Sequence, residues 1–139
     1  MKLTTKGRYA VMAMADLAAN QHLRPVSLND ISIRQNISLS YLEQLFAKLK
    51  NEKLVKSIRG PSGGYILEKS PKDIKISNII FAVDENIKTL NCKKDSKRGC
   101  HGKSTKCITH NLWDDLEQHI NLFFESKSLN DFLEQKNKN

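Results

Sequence analysis

No stretch of this chain is apolar for long enough to cross a bilayer. The longest such run, Tyr9-Ala10-Val11-Met12-Ala13-Met14-Ala15, stops at Asp16, far short of the roughly 20 residues a helical span needs. Lys2, Lys6 and Arg8 precede it as a signal peptide's charges would. No small-residue cleavage pattern follows, however, and helical spacing continues through Leu17. The sequence therefore predicts a soluble, cytoplasmic protein. Cysteine is scarce and odd in number: Cys92, Cys100 and Cys107 are the only three, which argues against a disulfide framework. Their clustering suits metal or redox chemistry instead. Also missing are a nucleophile–base pair, paired catalytic carboxylates and a phosphate-cradling loop, so the chain is read as a non-enzyme.

What remains is a chain of 139 residues, enough for one domain with an extension. Its hydrophobic fraction of 39% supports a core of helices and a small sheet. The formal charge of +8 is unevenly spread. Residues 1–60 carry ten Lys/Arg against four Asp/Glu, and residues 92–107 carry six against one. Residues 108–139 are net acidic, with three against six. A basic N-terminal half suits a phosphate-lined partner, although charge alone does not separate that from a solvated surface.

Spacing supplies the shape. Ala10, Ala13, Met14 and Leu17 form one apolar helical stripe, which Pro25 prevents from extending far. Ser27 with Asp30 reads as the start of a second, short helix, with Leu28, Ile31 and Ile33 as its apolar contacts. Asn36-Ile37-Ser38 interrupts it, and a third helix runs from about Ser38 or Ser40 to Asn51. Leu42, Leu45, Phe46 and Leu49 supply its core face; Ser40, Glu43, Gln44 and Ala47 supply an opposite, polar face suited to a groove. Two β-like runs, 54–58 and 64–67, flank the turn-rich Arg59-Gly60-Pro61-Ser62-Gly63.

Helix, short helix, tight turn, helix, hairpin is the order of a winged helix-turn-helix. The predicted class is mainly α with a small β wing, followed by a long C-terminal helix. Ile76, Ile79, Ile80 and Val83 mark a fourth helix. Trp113, Leu116, Ile120 and Phe123 mark a last long one over about 111–127, with Ser128 capping a terminal turn that carries Leu129, Phe132 and Leu133. Folding back on its own domain would satisfy that stripe. Its width and aromatic content favour a homodimer, as in readers of paired DNA half-sites. The expected organisation is a DNA-binding head over 1–85, a cysteine-bearing loop over 86–110 and a dimerisation helix with tail over 111–139.

Ser38, Ser40, Tyr41, Glu43 and Gln44 are the candidate readers of double-stranded DNA. Hydroxyls bond phosphates or base edges, Gln suits adenine, and Glu accepts from cytosine N4. Glu43 would act by selection, because a carboxylate is repelled by phosphate wherever no suitable cytosine faces it. Arg59, beside Gly60 at the wing tip, suits a narrow minor groove. Lys2, Lys6 and Arg8 are weaker candidates for backbone contacts. The metal candidates are Cys92-x7-Cys100-x6-Cys107-x2-His110. Thiolate and imidazole ligands suit zinc or an iron–sulfur cluster, and no C-x2-C knuckle favours zinc. His101 competes with His110 but neighbours Cys100, and adjacent residues point apart.

Four segments then carry a resemblance: 3–11, 37–46, Val55 through Tyr65, and Cys107-Ile108-Thr109-His110. On these the chain resembles the IscR-type iron–sulfur cluster regulators. The resemblance implies a homodimer holding a [2Fe–2S] cluster through Cys92, Cys100, Cys107 and His110, with iron–sulfur assembly proteins as its source. It implies repression of cluster-assembly genes, including the protein's own operon, when loaded. Without the cluster it implies control of a second class of sites, to which Glu43 restricts the unloaded form. Ser40, Gln44 and Arg59 match implied DNA contacts. The cysteine spacings are longer here by a residue or two than in the best-known members, so a [4Fe–4S] cluster sensing nitric oxide or oxidative stress, or a zinc site, stands as the alternative.

Overall fold

A computed structural model describes residues 5–83 and 108–138, with side chains described to residue 134. The chain order is α1 (Thr5–Asn20), α2 (Leu28–Gln35), α3 (Leu39–Asn51), β1 (Val55–Ile58), β2 (Gly64–Leu67), a 3-10 turn (Pro71–Asp73), α4 (Ile76–Ala82), α5 (His110–Ser126) and α6 (Leu129–Lys138). This is the predicted winged helix-turn-helix.

The core forms where the apolar stripes converge. Ala10, Ala13, Met14 and Leu17 of α1 are fully buried, as are Leu42, Phe46 and Leu49 of α3. The Ser27 hydroxyl accepts the Asp30 backbone N–H at 3.1 Å and starts α2 as expected. Asn36 ends it in the left-handed region at φ 54, a conformation Asn tolerates better than most residues. Ser38 then caps α3 by accepting the Tyr41 N–H at 3.4 Å. One expectation for α2 is corrected. Ile31 is buried, but Ile33 is 73% exposed, because residues two apart lie on opposite sides of a helix.

A buried carboxylate fixes the angle between α1 and α2. The Asp16 side chain is 2% exposed. It accepts from Arg34 Nε at 3.0 Å, from the Arg34 terminal nitrogen at 2.7 Å and from Gln35 Nε2 at 2.8 Å. Burial alone would raise the Asp16 pKa; hydrogen bonds from Arg34 and Gln35 and the Arg34 charge outweigh it and hold the carboxyl below its ordinary value.

β1 and β2 pair antiparallel, with Val55 opposite Leu67 and Ser57 opposite Tyr65. The base of this wing is fastened to the helical core. Val26 and Tyr65 exchange backbone hydrogen bonds of 2.9 and 2.7 Å, and Gln21 Oε1 accepts the Leu67 N–H at 2.8 Å. The approach is close enough that a Cβ on Gly64 would lie 2.5 Å from the Val26 carbonyl, so no larger residue fits there.

The C-terminal segment docks on the same core. Ile76 N–H bonds Lys127 O at 2.9 Å and Leu129 N–H bonds Ile74 O at 3.1 Å. Leu129 is fully buried, and Ile120, Phe124 and Leu133 pack against the core. One detail departs from the sequence expectation: the final turn is a helix of 10 residues. Ser128 directly precedes it, and the Asp131 carboxylate accepts the Ser128 N–H at 2.9 Å. Among the described residues, no helix is long and apolar enough to cross a membrane.

Candidate nucleic-acid interface

The candidate readers gather on the α3 side of the head. Ser38, Ser40, Glu43 and Gln44 are exposed, whereas Tyr41 is half-buried. The Ser38 and Ser40 hydroxyls lie 3.0 Å apart, so two donor–acceptor groups stand together at the start of the helix. Tyr41 leans back, its ring edge-to-face with Tyr9 of α1 at 5.8 Å. That contact ties the beginnings of α1 and α3 together. Tyr41 therefore has a packing role that spacing did not reveal, because Tyr9 read only as one member of an apolar run. Arg8 is exposed on α1, Lys6 is half-buried, and Lys2 lies outside the described residues.

Arg59 and Gly60 form the exposed wing tip. Gly60 adopts φ 119, a backbone state that L side chains rarely take. The Gly63 N–H closes the turn onto Gly60 O at 2.9 Å. Arg59 is thus presented on a tight turn. The wing itself is fixed against α3, with the Phe46 and Tyr65 rings 5.0 Å apart.

The metal candidates divide. His110 is the first residue of α5 and is half-buried. Cys92, Cys100 and Cys107, together with His101, lie outside the described residues. Among the described residues, no three His, Cys, Asp or Glu side chains converge as a metal site would require. Beside His110, Trp113 Nε1 donates to Thr109 Oγ1 at 3.1 Å, which orders the first turn of α5. His22 and His119 are exposed, as expected of ordinary surface positions.

The Rrf2 family model, described as an iron-dependent transcriptional regulator, matches residues 3–135. The chain belongs to the Rrf2 family. Among relatives of this Rrf2 protein, the HTH-type transcriptional regulator IscR of Photorhabdus laumondii is 50% identical over 133 residues, spanning 96% of this chain and 79% of the relative. The solved structure of T. potens IscR superposes with a TM-score of 0.78 at 38% identity, over 98% of this chain and 88% of that one. CymR of B. subtilis, described as the global cysteine regulator, superposes with a TM-score of 0.79 at 33% identity, over 95% of each chain. The Rrf2 protein is a DNA-binding transcriptional regulator of winged-helix type, not an enzyme.

Proposed function

We propose that this Rrf2 protein is a homodimeric, cytoplasmic repressor whose choice of promoter depends on an iron–sulfur cluster. Cys92, Cys100, Cys107 and His110 would hold a [2Fe–2S] cluster delivered by iron–sulfur assembly proteins. Three thiolates and one imidazole are a donor set that fits such a cluster, and the six Lys/Arg of residues 92–107 would offset its negative charge and favour thiolate. A bound cluster makes occupancy sensitive to iron supply and oxidation. Loaded, the protein represses cluster-assembly genes, its own operon included; unloaded, it regulates a second class of sites.

The observation that carries this reading is the position of His110. It opens α5, and the far end of α5 leads into backbone hydrogen bonds with residues 74–76 of the head. One proposed ligand therefore sits on an element continuous with the DNA-binding core. In the head, Ser38, Ser40, Tyr41, Glu43 and Gln44 address the major groove while Arg59 and Gly60 address the adjacent minor groove. Dimerisation is supported by α5, where Leu112 is 59% and Phe123 57% exposed, an apolar display that a lone chain leaves in water. Binding of the cluster shifts promoter choice only by the difference in its affinity for the two DNA-binding states.

The test is anaerobic purification, iron and sulfide analysis, and a mobility shift on the protein's own promoter. Coloured protein with two irons per protomer, bleached by Cys92→Ala, and tighter promoter binding when loaded are expected. Four irons would assign a [4Fe–4S] cluster, zinc alone would remove the cluster, and equal affinity in both states would remove the switch.

A further inference from the structure

The third helix and the wing meet along a seam that has two layers. Inside it, Phe46 packs its ring on Tyr65. Lys50 lies one helical turn beyond Phe46, so both face the wing. Ser57 pairs directly with Tyr65 across the strands. At the exposed rim of the seam Lys50 Nζ donates to Ser57 Oγ at 3.0 Å. The buried aromatic pair sets the spacing between helix and strand, and the polar pair bridges that spacing at the surface.

We propose that Lys50 and Ser57 form a phosphodiester-binding site, gripping the DNA strand that separates the two grooves the protein reads. The inference rests on the placement of α3 in a major groove and Arg59 in the neighbouring minor groove. Between adjacent grooves runs one sugar–phosphate strand, and it must cross the seam joining the two reading elements.

The chemistry of the pair fits an anion. In this contact the Lys50 ammonium meets a neutral hydroxyl and not a carboxylate. A hydroxyl acceptor leaves the full ammonium charge available, and one bond to Ser57 uses one of its three donors. The serine in turn keeps its own proton to give. A competing role is compensation of the negative end of α3, whose last turn holds Lys48 and Lys50. That role needs no partner on the wing and predicts no effect on DNA binding.

Fluorescence anisotropy against potassium chloride concentration separates the two, using a duplex of the protein's own promoter and a random duplex of equal length. Lys50→Ala should weaken both duplexes by the same factor and reduce the slope of log K against log salt by about 0.9 per protomer. Lys50→Arg should keep the slope, and Ser57→Ala should weaken binding in the same direction by less. A slope unchanged in Lys50→Ala, with promoter binding still lost in Gln44→Ala and Arg59→Ala, would overturn the site while leaving the groove placement intact. Promoter binding unaffected by Gln44→Ala and Arg59→Ala would overturn the placement and the inference with it.

Discussion

Removing either partner of the Asp16–Arg34 pair tests how the head is held, and the two removals should not cost the same. Asp16→Ala deletes a side chain that is 2% exposed and leaves behind a guanidinium that is 39% exposed and can be hydrated in place. Four donor groups, two on Arg34 and one each on Gln35 and Asn20, lose a charged acceptor, at about 1.5–3 kcal/mol for each bond to a charged group before water replaces it. With that replacement the net loss should be about 2–3 kcal/mol. Arg34→Ala instead strands a buried carboxylate with only Gln35 and Asn20 as described donors, and should cost about 3–4 kcal/mol, within the range for breaking buried pairs. At roughly 3–5 °C per kcal/mol for a chain of this size, the melting temperature should fall by roughly 6–15 °C for Asp16→Ala and more for Arg34→Ala. Urea unfolding followed by circular dichroism gives the free energies directly, with an unchanged m-value confirming that native compactness is kept.

The pH dependence follows from the same contacts. The folded pKa of Asp16 is depressed, so its contribution is fully present above the unfolded carboxylate value of about 3.9. It is lost as pH falls through the lower folded value. The gap between wild type and Asp16→Ala should therefore stay constant from neutral pH to about 5 and narrow below about 4. A loss under about 0.5 kcal/mol for both variants, or a gap that widens on acidification, would refute the assignment of this pair as the clamp between α1 and α2.

Other outcomes are direct. Ser27→Ala should cost about 1 kcal/mol by removing the cap of α2, read in the same urea titration. Asn36→Gly should be close to neutral, while Asn36→Val should destabilise measurably, because φ 54 admits glycine and strains a β-branched residue. Gln44→Ala should cost about 1–3 kcal/mol on the preferred promoter and little on random DNA, shown by competition binding. Phe123→Glu should shift the protein toward monomer in sedimentation velocity, since its ring is 57% exposed on α5.

Much of the head could be read from the order of residues because local periodicity decides it. The α1 and α3 stripes, the Ser27 cap and the Gly-rich wing tip are all properties of short windows. Ile33 is apolar by type yet exposed, because its angle around α2 turns it away from the core. Asp16 drew notice only as a break in an apolar run. Its partner lies 18 residues away, and no local pattern announces a carboxylate that will be buried. The Lys50–Ser57 contact is similar: each residue is ordinary until helix and strand are brought together. The exposed stripe of α5 was visible from spacing, but a stripe does not name what covers it. Cys92, Cys100 and Cys107 are legible as ligand types, and their arrangement lies outside the described residues.

The fastening of the wing has a thermodynamic consequence. A two-stranded hairpin alone is marginal in water, and one that ordered only on meeting DNA would charge that ordering against affinity. Here Val26 and Gln21 hold β2 from the side opposite β1, so the strands are set before any encounter. The five residues from Arg59 to Gly63 lie beyond the paired strands, closed by the Gly63 N–H bond to Gly60 O. Hydrogen exchange should therefore be slow at Tyr65 and Leu67 and fast around the tip, with little change in the strands when a duplex is added. The wing arrives with its strands already set, and its association with a groove should be limited by orientation rather than by folding.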